Sequence, residues 1–244
     1  MQSTSLEDQF LPQKIIITGA SSGIGFEAAI ELCVKGHNVI AVARSKEKLQ
    51  NLKKIIGDLN PNAVILPVVF DILNDDEAAL VGFVKQNWGT FDILINNAGT
   101  LINKPFNELT EFDMAEMFQS NVLSHFRMIK ALKPLLKPQS HIVNIGSMGG
   151  FQGSSKFPGL VAYSASKAAL HNLTECLAQE FLEDKINVNC LALGSAQTEM
   201  LEKAFPGYQS PVMAFEMGKY IADFALTGHR FFNGKILPVA VTTP

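Results

Sequence analysis

The sequence predicts an α/β fold, a doubly wound parallel sheet of about seven strands sandwiched between two helical layers. Three observations predict it. Short apolar runs alternate with amphipathic stretches along the chain. Runs such as KIIIT at 14–18 are β-branched throughout, as strands buried on both faces require. A glycine-rich turn sits between the first such run and the first amphipathic stretch.

Residues 14–18 form the first strand, 24–35 the first helix, and 37–43 (HNVIAVA) the second strand. The stretch 47–56 sets Leu49, Leu52 and Ile56 on one helical face. A third strand covers 64–70. The helix over 75–88 opens with an acidic turn, which suits the positive end of the helix dipole. FDILI at 91–95 is the fourth strand. Thr110 with Asp113 resembles a capping box and starts a long helix to about residue 132, where Pro134 stops it. The fifth strand is 141–145. A loop over 146–161 precedes a helix over 162–182, and 186–192 is the sixth strand. Residues 198–218 read as irregular, with Pro206, Gly207 and Pro211 among them. A short helix (218–226) and a strand (235–241) end the chain. This alternation demands right-handed crossovers and puts ligands beyond the carboxyl ends of the strands.

The 244 residues are 47% hydrophobic and 18% charged, with net charge −3. Such a chain buries a large core, and its length fits one α/β domain. No basic block invites nucleic acid or an anionic membrane. No apolar run is long enough to cross a membrane. The polar, acidic start MQSTSLEDQFLPQ lacks a signal-peptide layout. Cys33, Cys176 and Cys190 are scattered, give no disulfide or metal-ligand spacing, and read as buried small hydrophobes. A cytoplasmic setting is expected, with no metal.

The turn after the first strand carries Gly19, Gly23 and Gly25, spaced G-x-x-x-G-x-G. Gly19 permits a sharp turn, Gly23 close approach of a pyrophosphate, and Gly25 close packing of helix on sheet. Ile24 opens the helix, whose N-terminus offers free N–H groups and positive partial charge to phosphates. Ser21 and Ser22 add hydroxyls. No Lys-Ser or Lys-Thr follows the last glycine, so the pattern favours a dinucleotide over a hydrolysed triphosphate. At the end of the second strand Arg44 stands where a free ribose hydroxyl would call for an acid. An arginine fork there matches a 2′-phosphate, although a solvated surface arginine is the plainer alternative.

Tyr163 and Lys167 are four residues apart on an expected helix and so share a face. A nearby ammonium favours the phenolate, which tunes a tyrosine for proton transfer. Ser147, at the end of the fifth strand, is placed to hold a substrate oxygen. The pair alone is weak evidence; its place one loop beyond that strand gives it weight.

Together these residues resemble the short-chain dehydrogenase/reductase family, over nearly the whole chain from Lys14 to about Gly234. The glycine motif is TGASSGIG at 18–25. The adenine-contacting acid corresponds to Asp71, followed by Ile72. Asn96, Asn97, Ala98 and Gly99 match the family's Asn-Asn-Ala-Gly. The catalytic tetrad corresponds to Asn121, Ser147, Tyr163 and Lys167. The resemblance implies a Rossmann domain spanning 1–244, with a short lid at about 198–218. It implies NADP(H) as cofactor and hydride transfer to or from a small carbonyl or alcohol substrate. Tyr163 would then move the proton, Ser147 bind the oxygen, and Lys167 lower the tyrosine pKa and hold the ribose. Asn121 would anchor a water leading from Lys167 to solvent.

Leu193-Gly194 replaces the family's Pro-Gly, so the turn should be looser. Thr198 matches the threonine that touches the carboxamide. Phe151, Phe157 and Leu160 are candidates either for an apolar substrate wall or for a loop or subunit cover. Lys156 and His125 match no family role and read as structural or solvated. The helices over 110–132 and 162–182 are candidates for homodimer or homotetramer contacts. A dinucleotide sensor without turnover and a sugar-nucleotide epimerase are the rival readings. The intact Tyr163–Lys167 pair weighs against the first, and the short C-terminal part against the second.

Overall fold

The computed structural model describes residues 11–241. Most of the N-terminal segment read for a targeting signal lies outside them. Seven strands form one sheet in the order β3-β2-β1-β4-β5-β6-β7. They are β1 (Lys14–Thr18), β2 (Asn38–Ala43), β3 (Ile65–Val69), β4 (Phe91–Asn96), β5 (Leu136–Ile145), β6 (Asn187–Leu193) and β7 (Ile236–Val239). Every pairing is parallel. The chain reverses direction across the sheet between β1 and β4, which opens a crevice at their carboxyl ends.

The run of three isoleucines explains itself in this sheet. Ile15 and Ile17 pack into the core that includes Ala28, Leu32 and Ile221, whereas Ile16 packs on the other face with Leu94, Ile129 and Ile142. A strand covered on both sides has no polar position to alternate with. Each such buried side chain contributes about 1.5–3 kcal/mol.

One helical layer holds α1 (Gly23–Val34), α2 (Lys46–Leu59) and α8 (Ala214–Thr227). The other includes α3 (Glu77–Asn87), α4 (Glu111–Phe118), α5 (Ser124–Leu132) and α6 (Val161–Glu180). Caps fix several starts. Ser45 accepts from the Lys48 amide, Asp76 from the Ala78 amide, and Thr110 and Asp113 form the expected box.

Three expectations need correction. The long helix over 110–132 is interrupted by a π-helical turn at Gln119–Leu123. Residues 198–218 are not wholly irregular: α7 (Glu199–Ala204) forms there, and α8 begins at Ala214 rather than 218. The α8 start gains from the Glu216 carboxylate, which accepts from the Met213 amide at 2.9 Å. Cys176 is exposed, unlike Cys33 and Cys190. Among the described residues, no helix is long and apolar enough to cross a membrane.

Candidate active site

The glycine turn is shaped by close backbone packing. Gly19 has φ 70°, and a Cβ there would lie 2.8 Å from Ala98 Cα and from Asn97 Nδ2. A Cβ on Gly25 would lie 2.2 Å from Asn97 Nδ2 and 2.6 Å from the Gly19 carbonyl oxygen. Gly25 therefore makes room for Asn97 as well as for packing the helix near the sheet. Asn97 Nδ2 donates to the carbonyls of Thr18 and Gly19, at 3.0 and 3.1 Å. The Asn97 and Ala98 amides donate to Thr18 Oγ1, each at 3.1 Å. Thr18 thus fastens the end of β4 to the turn, a role that only this contact between distant segments reveals. Gly23 has φ 58°. Among the described residues a Cβ there would touch Thr198 alone, at 3.4 Å and beyond, so no backbone crowds this position. Ser22 caps α1 without a side-chain hydrogen bond, which leaves the first-turn N–H groups facing the crevice.

Arg44 is exposed at the end of β2 and makes no side-chain hydrogen bond or ion pair among the described residues. Asp71 is engaged in its own turn, accepting from the Leu73 amide at 2.9 Å and from Asn74 Nδ2 at 3.0 Å. Ile72 lies beside it on the crevice wall.

Helix α6 brings Tyr163 and Lys167 beneath the end of β5. Lys167 is buried and donates from Nζ to the Ile145 carbonyl at 2.8 Å. The same Nζ stands 5.9 Å from the Tyr163 ring centroid. Burial lowers the Lys167 ammonium to about 8. Burial also holds the Tyr163 phenol above its ordinary value, opposed by a hydrogen bond to Ser147. In the protein without cofactor, desolvation therefore outweighs the depression that the sequence leads one to expect. Ser147 Oγ also accepts from the Gly149 amide at 3.1 Å.

Asn121 sits in the π turn, fully buried. Its Oδ1 accepts from the Thr100 amide, and its Nδ2 donates to the Thr100 carbonyl and to Ser166 Oγ, each at 3.0 Å. A Cβ on Gly99 would lie 2.7 Å from that Oδ1. Asn121 thus anchors the segment after β4, and a π turn at such a point re-aims the helix locally. His125 is fully buried, bonds the Ala98 carbonyl at 2.7 Å, and is pushed down to about 3 by burial. It is structural, as expected. Lys156 is likewise engaged, donating to the Phe151 carbonyl and to Ser154 Oγ.

The turn after β6 is not loosened. Leu193 is buried and pairs with Val239, and the Gly194 amide donates to the Val239 carbonyl at 2.8 Å. Gly194 is required because a Cβ would lie 2.8 Å from Ala240 Cβ. Thr198 caps α7 by accepting from the Leu201 amide.

A cleft of about 520 Å³ gathers these features at the carboxyl ends of the strands. Gly19, Ser21, Ser22, Gly23, Ile24 and Arg44 line it. Asp71, Ile72, Asn97, Ala98, Gly99, Ser147, Tyr163, Gly194 and Thr198 also do. Gly25, Asn121 and Lys167 stand behind its wall. Phe157 and Leu160 line it, but Phe151 packs edge-on against His171, with ring centroids 6.5 Å apart. Met200, Phe205 and Tyr208, which no spacing in the sequence singles out, line the cleft as well.

A family model described as short chain dehydrogenase matches residues 13–209. An uncharacterized oxidoreductase of Staphylococcus saprophyticus is 33% identical over 188 residues, 76% of this chain and 79% of that protein. The NADPH-dependent 1-acyldihydroxyacetone phosphate reductase of Saccharomyces cerevisiae is 35% identical over 202 residues, 81% of this chain and 66% of that protein. Among solved structures, a dehydrogenase/reductase from Sinorhizobium meliloti superposes with TM-score 0.83 at 26% identity, covering 96% of this chain and 98% of that one. L-sorbose reductase from Gluconobacter frateurii, complexed with NADPH and L-sorbose, gives TM-score 0.84 at 23% identity, covering 95% and 96%, and so attests the fold alone.

Proposed function

Since this chain belongs to the short chain dehydrogenase family and is an oxidoreductase of the hydride-transferring kind, we propose that it couples NADP(H) to a carbonyl or alcohol substrate, with Tyr163 as general acid and base. One observation carries the reading. The Tyr163 hydroxyl, within hydrogen-bonding reach of Ser147 and one helical turn from Lys167, lines the same cleft as the glycine turn.

The residues present fit a dinucleotide. No backbone crowds Gly23, the first turn of α1 faces the crevice, and Gly19 and Gly25 let the backbone come close. The bound nicotinamide supplies or receives the hydride. Ser147 holds the substrate oxygen by hydrogen bonding. Tyr163, kept protonated by burial, gives its proton to that oxygen during reduction. Lys167 supplies a positive charge beside the phenol and a donor for the ribose hydroxyls. Asn121 holds the segment at Gly99 and Thr100 in place. Arg44, free of internal partners among the described residues, takes the 2′-phosphate. An NADPH-dependent relative at 35% identity supports that choice of cofactor.

We read residues 1–244 as one dinucleotide-binding unit with its lid at 198–218, working in the cytoplasm. The exposed Phe112, Phe126 and Val161 on α4, α5 and α6 suit self-association. Light scattering should return a dimer or tetramer mass, and a monomer would remove that part. Tyr163→Phe tests the chemistry. Carbonyl-dependent NADPH consumption should fall about a hundred- to ten-thousand-fold while NADPH still binds. Wild-type rates would reject the proton role.

A further inference from the structure

The charged groups of the cleft lie on one side of it. Arg44 and Asp71 stand at the ends of β2 and β3. Glu199, the remaining lining residue with a formal charge, is drawn toward the same side, its carboxylate 3.1 Å from Lys48 Nζ at the start of α2. The walls built around Ser147 and Tyr163 are Leu101, Met148, Phe157, Leu160, Met200 and Phe205. Tyr208 adds a hydroxyl, and among the described residues lining this half there is no Lys, Arg, His, Asp or Glu. Two nearby lysines are already occupied: Lys104 pairs with Asp113 at 2.7 Å, and Lys156 clasps its own loop.

We infer that the substrate is an uncharged carbonyl compound with an apolar chain or ring beside the reacting carbon, rather than a carboxylate, a phosphate ester or a polyol. The inference deepens the hydride-transfer reading and rests on it for where the reacting carbon sits. An anion brought into these walls loses its hydration and finds no counter-charge on them, since Lys167 lies buried behind Tyr163 with its Nζ on the Ile145 carbonyl. A polyol needs a partner for each hydroxyl it buries, and the lining hydroxyls of this half beyond Ser147 and Tyr163 are already engaged, Thr100 with Ser120 at 2.6 Å and Ser195 with Tyr208 at 3.3 Å. An apolar chain instead gains by leaving water against aliphatic and aromatic walls.

The test uses the full chain saturated with NADP(H) and three ligands: a nine-carbon methyl ketone, the same ketone ending in a carboxylate, and a ketohexose. NADPH consumption reads turnover. Calorimetry reads binding of the corresponding alcohols to the NADP-loaded protein. The plain ketone and its alcohol should exceed both others by about a hundredfold in kcat/KM and in affinity. Equal or better values for the carboxylate or the ketohexose would overturn the inference, and so would failure of the apolar alcohol to bind. Selective binding of that alcohol with no turnover of any ketone would uphold the apolar site and reject hydride transfer. Phe157 is 52% exposed and tolerates a longer polar side chain. Phe157→Lys should narrow the ratio of ketone to carboxylate by about tenfold, as one counter-charge is restored. An unchanged ratio would overturn the claim that a missing cation sets the preference.

Discussion

Around Gly19 and Gly25 the wall of the cleft is backbone, whereas around Ser147 and Phe157 it is side chains on a loop and on the segment after β6. In the first region an added methyl meets fixed atoms at 2.2–2.8 Å. In the second, Gly146 and Gly149 would meet side-chain atoms, His171 Nε2 at 2.4 Å and Ser164 Oγ at 2.9 Å, while Gly153 and Gly207 farther out have nothing within 4 Å of an added Cβ. The first region is also tied across the sheet, through Thr18 and Asn97, by four hydrogen bonds of 3.0–3.1 Å. The second depends on capping within its own segments, such as Thr198 on α7 and Ser147 on the Gly149 amide. A backbone wall leaves little for substitution to change and suits a ligand common to many enzymes. A side-chain wall can be re-cut at small cost and suits the ligand that distinguishes them.

The sharpest way to break this contrast is Gly25→Ala. It should cost about 2 kcal/mol, lower the melting temperature by about 4–8 °C and abolish tight NADPH binding. Gly153→Ala is the control. It carries only the strain of a φ of 81°, about 1 kcal/mol, and should leave NADPH binding intact. Equal losses in thermal denaturation and fluorescence titration would end the distinction.

Arg44→Asp should act on specificity without touching stability, because Arg44 is exposed and makes no side-chain hydrogen bond or ion pair among the described residues. The ratio of kcat/KM for NADPH over NADH should move toward NADH by about ten- to a hundredfold. An unchanged ratio would free Arg44 of the 2′-phosphate.

The smallest effect concerns pH. Burial lowers Lys167 from 10.5 to about 8, so the ammonium persists below that pH and is lost above it. Reduction at saturating NADPH should therefore decline through about pH 8. The same shift has the opposite sign for stability. The unfolded chain binds more protons between 8 and 10.5, so this group's destabilising contribution fades as pH rises through that window. A rate that stays flat to pH 9.5 while other groups are controlled would remove the requirement for a charged Lys167.

Much of the fold was legible because its signals are local. Three consecutive isoleucines identify a strand buried on both faces, and Thr110 with Asp113 marks a helix start. The proposed site residues were marked for the same reason, since a glycine turn and a four-residue spacing on a helix are short-range patterns. The π turn at Gln119–Leu123 was not legible, because residues 110–132 carry an ordinary helical pattern. The turn coincides with Asn121 reaching across to Thr100 and Ser166, contacts between segments 21 and 45 residues apart. Helix α7 was hidden behind Pro206 and Gly207, which advertise irregular chain just past its end.

The sequence by itself determined the alternation of strands and helices, the glycine turn, and which tyrosine and lysine share a face. Each follows from steric and periodic rules acting over a few residues. Only the tertiary structure decided that Gly25 makes room for Asn97, that Glu199 leans toward Lys48, and that burial outweighs the Ser147 hydrogen bond at Tyr163. Those outcomes depend on which distant atoms arrive beside a residue, and on how much water their arrival removes.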